Sequence, residues 1–104
     1  MGMPLYELTP AAEADLKDIA RYTSKQWSRK QAIHYAGLLE AGFYQIAENK
    51  AFSRSFSETY PEVRVTKCEH HYIFYLFRGE HPCILAIFHE HMDLISRLQE
   101  RLSK

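Results

Sequence analysis

With 104 residues, 46% of them hydrophobic and 25% charged, the chain has the make-up of one globular domain that can bury a single core without staples. Thirteen basic residues cancel thirteen acidic ones, six of each sign in residues 1–50 and seven of each in 51–104, so neither half is the basic arm expected of a protein that binds nucleic acid mainly through phosphates. Cys68 and Cys83 are too few for a disulfide framework, the apolar run Cys83 to Phe88 is too short to span a bilayer, and no signal segment opens the chain; these features argue against a membrane protein and for the reducing cytoplasm.

Met1-Gly2, ahead of Met3, reads as a cloning remnant. Gly2 opens no good myristoylation site, because Tyr6 stands where Ser or Thr is needed. Leu5 to Leu8 is a short strand candidate. Thr9-Pro10 follows as a helix start, Thr9 as N-cap and Pro10 at the first helical position, with Glu13 and Asp15 where the helix dipole favours acids. Ala12, Leu16, Ile19, Ala20 and Trp27 have helical spacing, which predicts a first helix over about 10–26. Ser28 to Gln31 has the form of a capping box and opens a second helix, to about Asn49, with the stripe Ala32, Tyr35, Ala36, Leu39, Phe43, Ile46, Ala47. So short a connection between amphipathic helices predicts an antiparallel hairpin, with Ala12, Ala20, Ala32 and Ala36 allowing close approach and with Leu39 and Phe43 facing a sheet.

Residues 50–61 alternate Ser and Thr with Phe, Arg and Glu and end at Pro61, a loop with room for a short extended piece. Three strands are predicted next, at 62–69, 70–78 and 83–89, with a turn over Gly79 to Pro82. The second, containing Tyr72 to Phe77, is apolar throughout and suits a central strand covered on both faces. From residue 92 to the end, Met92, Ile95, Leu98 and Leu102 mark a third helix, either docked or free. The order β-α-α-β-β-β-α is an α+β architecture, an αα-hairpin packed on a small, curved, mainly antiparallel sheet.

Six histidines invite a site. His89-Glu90-His91 matches neither H-E-x-x-H nor a closed zinc set, and the expectation is no metal and no cofactor, with His89 packed at a strand end and His91 solvated. Arg54 and Arg64 have a bland reading as surface partners of Glu58 and Glu62, and a sharper one as contacts to another macromolecule. Met92-Asp93 has the form of a helix start, with Asp93 as N-cap.

Taken together, Tyr6-x-Leu8-Thr9-Pro10-x-Ala12-x-x-Asp15-Leu16-x-x-Ile19-x-x-Tyr22-Thr23, then Trp27, then Gln31-Ala32-x-x-Tyr35 resemble the opening of ParE-type toxins of the RelE/ParE superfamily. Val63-Arg64, His71-x-Ile73-Phe74-Tyr75 and Ile87-x-His89-x-x-Met92-Asp93 continue the resemblance in order, over about residues 5–93. Two places depart from the family pattern: Lys50 and Ser53-Arg54 stand where Pro and Gly-Arg are usual, and Glu62 where a Gly precedes the arginine dipeptide.

The resemblance implies a bacterial, cytoplasmic, plasmid-stabilisation type toxin of a type II toxin–antitoxin module. It would bind DNA gyrase, arrest growth, and be neutralised by an antitoxin whose C-terminal segment wraps it. Such a toxin is an inhibitor with no catalytic residue, no membrane contact and no direct specific nucleic-acid binding; Arg54, Arg64, His89, Met92 and Asp93 are then the candidate contacts to target or antitoxin. Two alternatives stay open. One is a ribosome-dependent mRNA endoribonuclease of RelE type, in which His89 and His91 would move protons and Arg64 and Arg54 would face the phosphorane. The other is a non-toxic relative that retains only antitoxin binding.

Overall fold

A computed structural model describes residues 5–103; Met1-Gly2 lie outside them. Thr9 and Pro10 begin the first helix as their chemistry predicts. The Ala12 N–H donates to Thr9 Oγ1 at 3.1 Å, and Pro10 takes the first helical position of α1 (Pro10–Gln26). Ser28 Oγ accepts from the Gln31 N–H at 3.0 Å and opens α2 (Arg29–Ala47). Asn49 ends it in the left-handed region, φ 61°, a conformation asparagine tolerates.

The sheet contains β1 (Glu7–Leu8), β2 (Arg54–Ser55), β3 (Arg64–Cys68), β4 (His71–Arg78) and β5 (His81–His89), in the order β1-β5-β4-β3-β2. β1 runs parallel to β5 and every other pair is antiparallel, so the sheet is mixed. β4 is central, as its apolar sequence predicts. α3 (Leu94–Leu102) follows, and the Ser96 N–H donates to its N-cap, Asp93.

Two cores sandwich the sheet. On one face α1 and α2 bring Ala12, Leu39, Phe43 and Ile46 against Ile73, Tyr75, Ile84 and Ile87. On the other, α3 and the 50s segment cover Val63, Val65, Phe74 and Phe88; Leu98 is fully buried there, and Phe56 meets Phe74 edge-on at 5.1 Å. β4 alternates cleanly between the faces. β5 does not: Phe74 pairs with Ala86 but Tyr75 pairs with Ile84, leaving Leu85 as an extra residue. This bulge puts Leu85 and Ala86 consecutively on the α3 face and returns Ile87 to the helix-hairpin face.

The bulge lies where β5 outruns β1, which pairs only with Cys83 and Ile84. The exposed edge is closed by side chains. Asp15 of α1 accepts from the Ile87 N–H at 2.9 Å, and Arg101 of α3 donates to the Leu85 carbonyl at 2.9 Å. The two side chains also pair with each other through two bonds, of 3.0 and 3.1 Å. The guanidinium rests 5.1 Å from the Phe88 ring centroid. α3 is therefore docked, and a charge pair holds both helical layers to one strand.

Several expectations need correction. Trp27 is 76% exposed and does not continue the α1 stripe, because α1 ends at Gln26 and the indole sits on the turn. Ala36 is exposed and does not lie in the contact expected between the two helices, and α2 seats tightly on the sheet at Gly42, where a Cβ would lie 2.9 Å from Cys68 Sγ. The β3–β4 turn is Glu69-His70, with Glu69 at φ 56° and no glycine to announce it. The β4–β5 turn is only Gly79-Glu80, so His81 and Pro82 belong to β5; Pro82, near the strand start and outside the stretch paired with β1, withholds no ladder donor there. Phe77 is half exposed rather than covered on both faces.

Asp15→Ala should cost about 2–4 kcal/mol in urea unfolding, since it orphans the Ile87 N–H and leaves a largely buried guanidinium unpaired. Asp15→Asn, which keeps an acceptor, should cost less. An unchanged midpoint in both variants would show that the pair contributes nothing.

Candidate functional site

The strand register gathers chemistry-bearing side chains at one end of the sheet. Cys68, His71 and His89 stand side by side across β3, β4 and β5. His71 is 7% exposed, and its Nδ1 lies 2.6 Å from the Tyr35 hydroxyl, delivered by α2. That hydroxyl accepts from the His70 N–H at 3.1 Å, so its own proton is free for His71 Nδ1; the network assigns His71 as the neutral Nε2–H tautomer. Burial, with His89 and His70 adding like charge, lowers the His71 pKa to about 4. Burial likewise pushes the Tyr35 and Cys68 groups up.

The imidazoles of His71 and His89 meet edge-on at 5.1 Å, and His91 lies 5.1 Å beyond His89. The His91 N–H donates to His89 Nδ1 at 3.2 Å. Around them Glu90 bridges Lys67 and His70, at 2.9 Å each, and these hydrogen bonds hold its carboxyl well below the usual carboxylate range. Among the described residues, no group of three or more His, Cys, Asp or Glu is arranged to hold a metal ion.

The arginines stand elsewhere. Arg64 pairs across β3–β4 with Tyr75, whereas His89 pairs across β4–β5 with His71; four strand residues separate those positions, about 13 Å. Arg64 donates to Ser53 Oγ at 2.9 Å and to the Ser53 carbonyl at 3.0 Å, so it fastens the 50s segment instead of pairing with Glu62. Arg54 is exposed on β2, with no ion pair to Glu58 among the described residues. Asp93 is occupied as an N-cap, and Met92 beside it is 43% exposed. The five candidate contacts thus fall into two groups: Arg54 with Arg64, and His89 with Met92 and Asp93.

The αα-hairpin carries a feature that the sequence does not announce. A groove of about 450 Å³ runs between α1 and α2 beside β1, floored by Leu16, Ile19, Leu39 and Phe43 and walled by Ala36 and Gly37. Ile33, also on this groove, is 65% exposed. The small residues at 36 and 37 are the one available signal; they keep one wall low instead of drawing the two helices together. A second concavity, of about 360 Å³, lies between the exposed Phe52, Arg54 and the β3–β4 surface at Thr66, Lys67 and Tyr72.

The histidine end carries a pH signature. His71 is neutral when folded but titrates near its ordinary value of 6.5 when unfolded, so its contribution is complete above about pH 6.5 and declines as pH falls towards 4. Stability should drop by about 2–3 kcal/mol across that window. His71→Gln should flatten the profile, and the His71 ring resonances should titrate near pH 4; a midpoint above 6 would refute the assignment.

Comparison with known proteins places this arrangement. A family model described as "ParE toxin of type II toxin-antitoxin system, parDE" matches residues 6–94. The chain is 45% identical over 101 residues to Toxin ParE of Escherichia coli, an alignment covering 96% of this chain and 98% of that one. It is 31% identical over 90 residues to Toxin ParE1 of Mycobacterium tuberculosis, covering 86% and 92%. Toxin ParE1 of Caulobacter vibrioides is 30% identical over 96 residues, covering 92% and 99%. A solved structure titled "Chromosomal ParDE TA system from P. aeruginosa" shares the fold with a TM-score of 0.68 at 22% identity, covering 82% of this chain and 96% of the other. On the family match and the breadth of these alignments, the chain belongs to the ParE toxin family of type II toxin–antitoxin systems.

Proposed function

We propose that this toxin arrests growth by binding DNA gyrase, and that a co-encoded antitoxin neutralises it by laying an amphipathic C-terminal segment in the groove of the αα-hairpin. The observation that carries the first part is the ParE family match across residues 6–94, with the gyrase target following from the family resemblance. The site geometry supports an inhibitor over a nuclease. General acid–base cleavage of RNA needs proton carriers and phosphate-facing cations around one scissile bond. Here His89 stands about 13 Å along the sheet from Arg64, His91 lies beyond His89, and Arg64 is engaged by Ser53.

The groove supports the second part. Its floor is apolar, its wall at Ala36 and Gly37 is low, and the exposed Ile33 borders it. A helix bearing apolar residues at i, i+3 and i+4 fits such a surface. A partner segment that orders only on binding would cover a large area yet stay open to proteolysis once released. The target would be met at the other surfaces: Arg54, braced by the Arg64–Ser53 contact, and the His89–Met92–Asp93 corner at the start of α3, where Met92 and Ile95 are exposed.

The purified protein should inhibit supercoiling of relaxed plasmid by gyrase and leave ribosome-bound mRNA uncut. Cleavage of mRNA that disappears in His89→Ala would establish the nuclease instead. Loss of neither growth nor supercoiling would leave only antitoxin binding. Separately, Gly37→Arg should weaken antitoxin binding at least tenfold without lowering the melting temperature, because a Cβ at Gly37 meets nothing within 4 Å. Retained affinity would move the antitoxin off the groove.

A further inference from the structure

The neutral total conceals a segregated charge. Between Asp18 and Glu40 the chain holds Arg21, Lys25, Arg29 and Lys30 and no acid. This stretch is the tip of the αα-hairpin, and every residue from Arg21 to His34 except Thr23 and Ala32 is exposed. Among the described residues only Arg21 has an acidic partner, Asp18 at 3.4 Å on the surface, a contact of little strength. At the turn stands Trp27, the only tryptophan of the chain, 76% exposed, with Tyr22 64% exposed on the preceding helical turn.

Two features of this tip run against folding preferences. Arg29 and Lys30 occupy the first turn of α2, which contains no acid; the positive end of the helix dipole disfavours cations there. A large indole left in water gains nothing from burial. Residues that break local rules without a structural gain mark functional surfaces.

We propose that the hairpin tip binds single-stranded nucleic acid without sequence preference, Trp27 stacking on an unpaired base while Lys25, Arg29 and Lys30 neutralise flanking phosphates. Those three cations lie within three residues of Trp27, so one short stretch of strand can reach them all. An acidic protein surface would be recognised by the cations alone, whereas an exposed π-face adds what a base supplies. A lipid surface needs a broad apolar face, and Trp27 is flanked by Gln26 and Ser28. The proposal does not rest on gyrase being the target.

Because Trp27 is the sole tryptophan, its emission reports on the tip alone. The purified protein would be titrated with oligodeoxythymidylate and oligouridylate, and in parallel with a duplex of equal length, poly-glutamate and phosphatidylglycerol vesicles. Both single strands should quench the emission, the tighter one identifying the favoured sugar. Log affinity should fall against log salt with a slope of about −2, for three phosphates at about 0.7 each. Trp27→Ala, which lacks the reporter and is followed instead by the anisotropy of an end-labelled strand, should weaken binding about tenfold, within the range of a lost base stack. Arg29→Glu with Lys30→Glu should do at least as much while leaving the melting temperature unchanged or higher, since acids suit a helix N-terminus. No quenching by either single strand would overturn the proposal. Equal or tighter binding of the duplex, poly-glutamate or vesicles would overturn it too, and would name the surface the tip recognises instead.

Discussion

The outer edge of β5 is paired with β1 only at Cys83 and Ile84, and beyond that point a strand buried on both faces would present bare peptide groups to a partly dry interior. Asp15 and Arg101 supply the missing partners, one from each helical layer, and satisfy each other at the same time. The position of α3 depends on this contact, because the helix otherwise holds the sheet mainly through one face around Leu98. So does the tolerance of the bulge at Leu85, whose carbonyl is turned out of the ladder and received by Arg101. The ion pair is not primarily a source of Coulomb energy. It works as a hydrogen-bonding plug, and its charges are tolerated because both Asp15 oxygens accept and Arg101 makes three bonds.

How much the sequence reveals follows from how local each signal is. Thr9-Pro10, Ser28 and Asp93 announce helix starts because a cap is made within four residues, and all three caps form. Ile73, Phe74 and Tyr75 announce a central strand because burial on both faces leaves no polar alternation. The Asp15–Arg101 pair joins residues 86 apart, and nothing in either neighbourhood marks them as partners. The bulge is equally hidden, since β5 is buried on both faces and an apolar run conceals a slip of register. The turn at Glu69 is silent because its left-handed residue is neither Gly nor Asn. Trp27 misleads for the opposite reason: its hydrophobicity suggests burial, but the helix has already ended.

The candidate site divides along the same line. His89, Met92, Asp93, Arg54 and Arg64 stand out as residue types in a familiar order, but order along the chain carries no information about separation across the sheet. The register does, and it parts the histidines from the arginines. What remains at the histidine end is a satisfied cluster: Tyr35 is engaged by His71, and Glu90 by Lys67 and His70. Such a cluster fixes strand ends and couples stability to acid.

The proposed role asks for more than one surface, because neutralisation and target engagement would draw on different partners. The fold provides this through its layers. The αα-hairpin, seated on one face by Leu39 and Phe43, keeps an apolar groove along its length and a cationic, aromatic tip at its turn. The opposite face, closed by α3, presents the Met92–Ile95 corner beside the histidines. The Asp15–Arg101 contact ties the two faces through a single strand, so a partner seated on the hairpin bears on α1, and through Asp15 on the strand edge where α3 is anchored. On the proposed assignment of surfaces, a partner in the groove would touch the helix that carries the Asp15 carboxylate, and that carboxylate is bonded to Arg101 of α3.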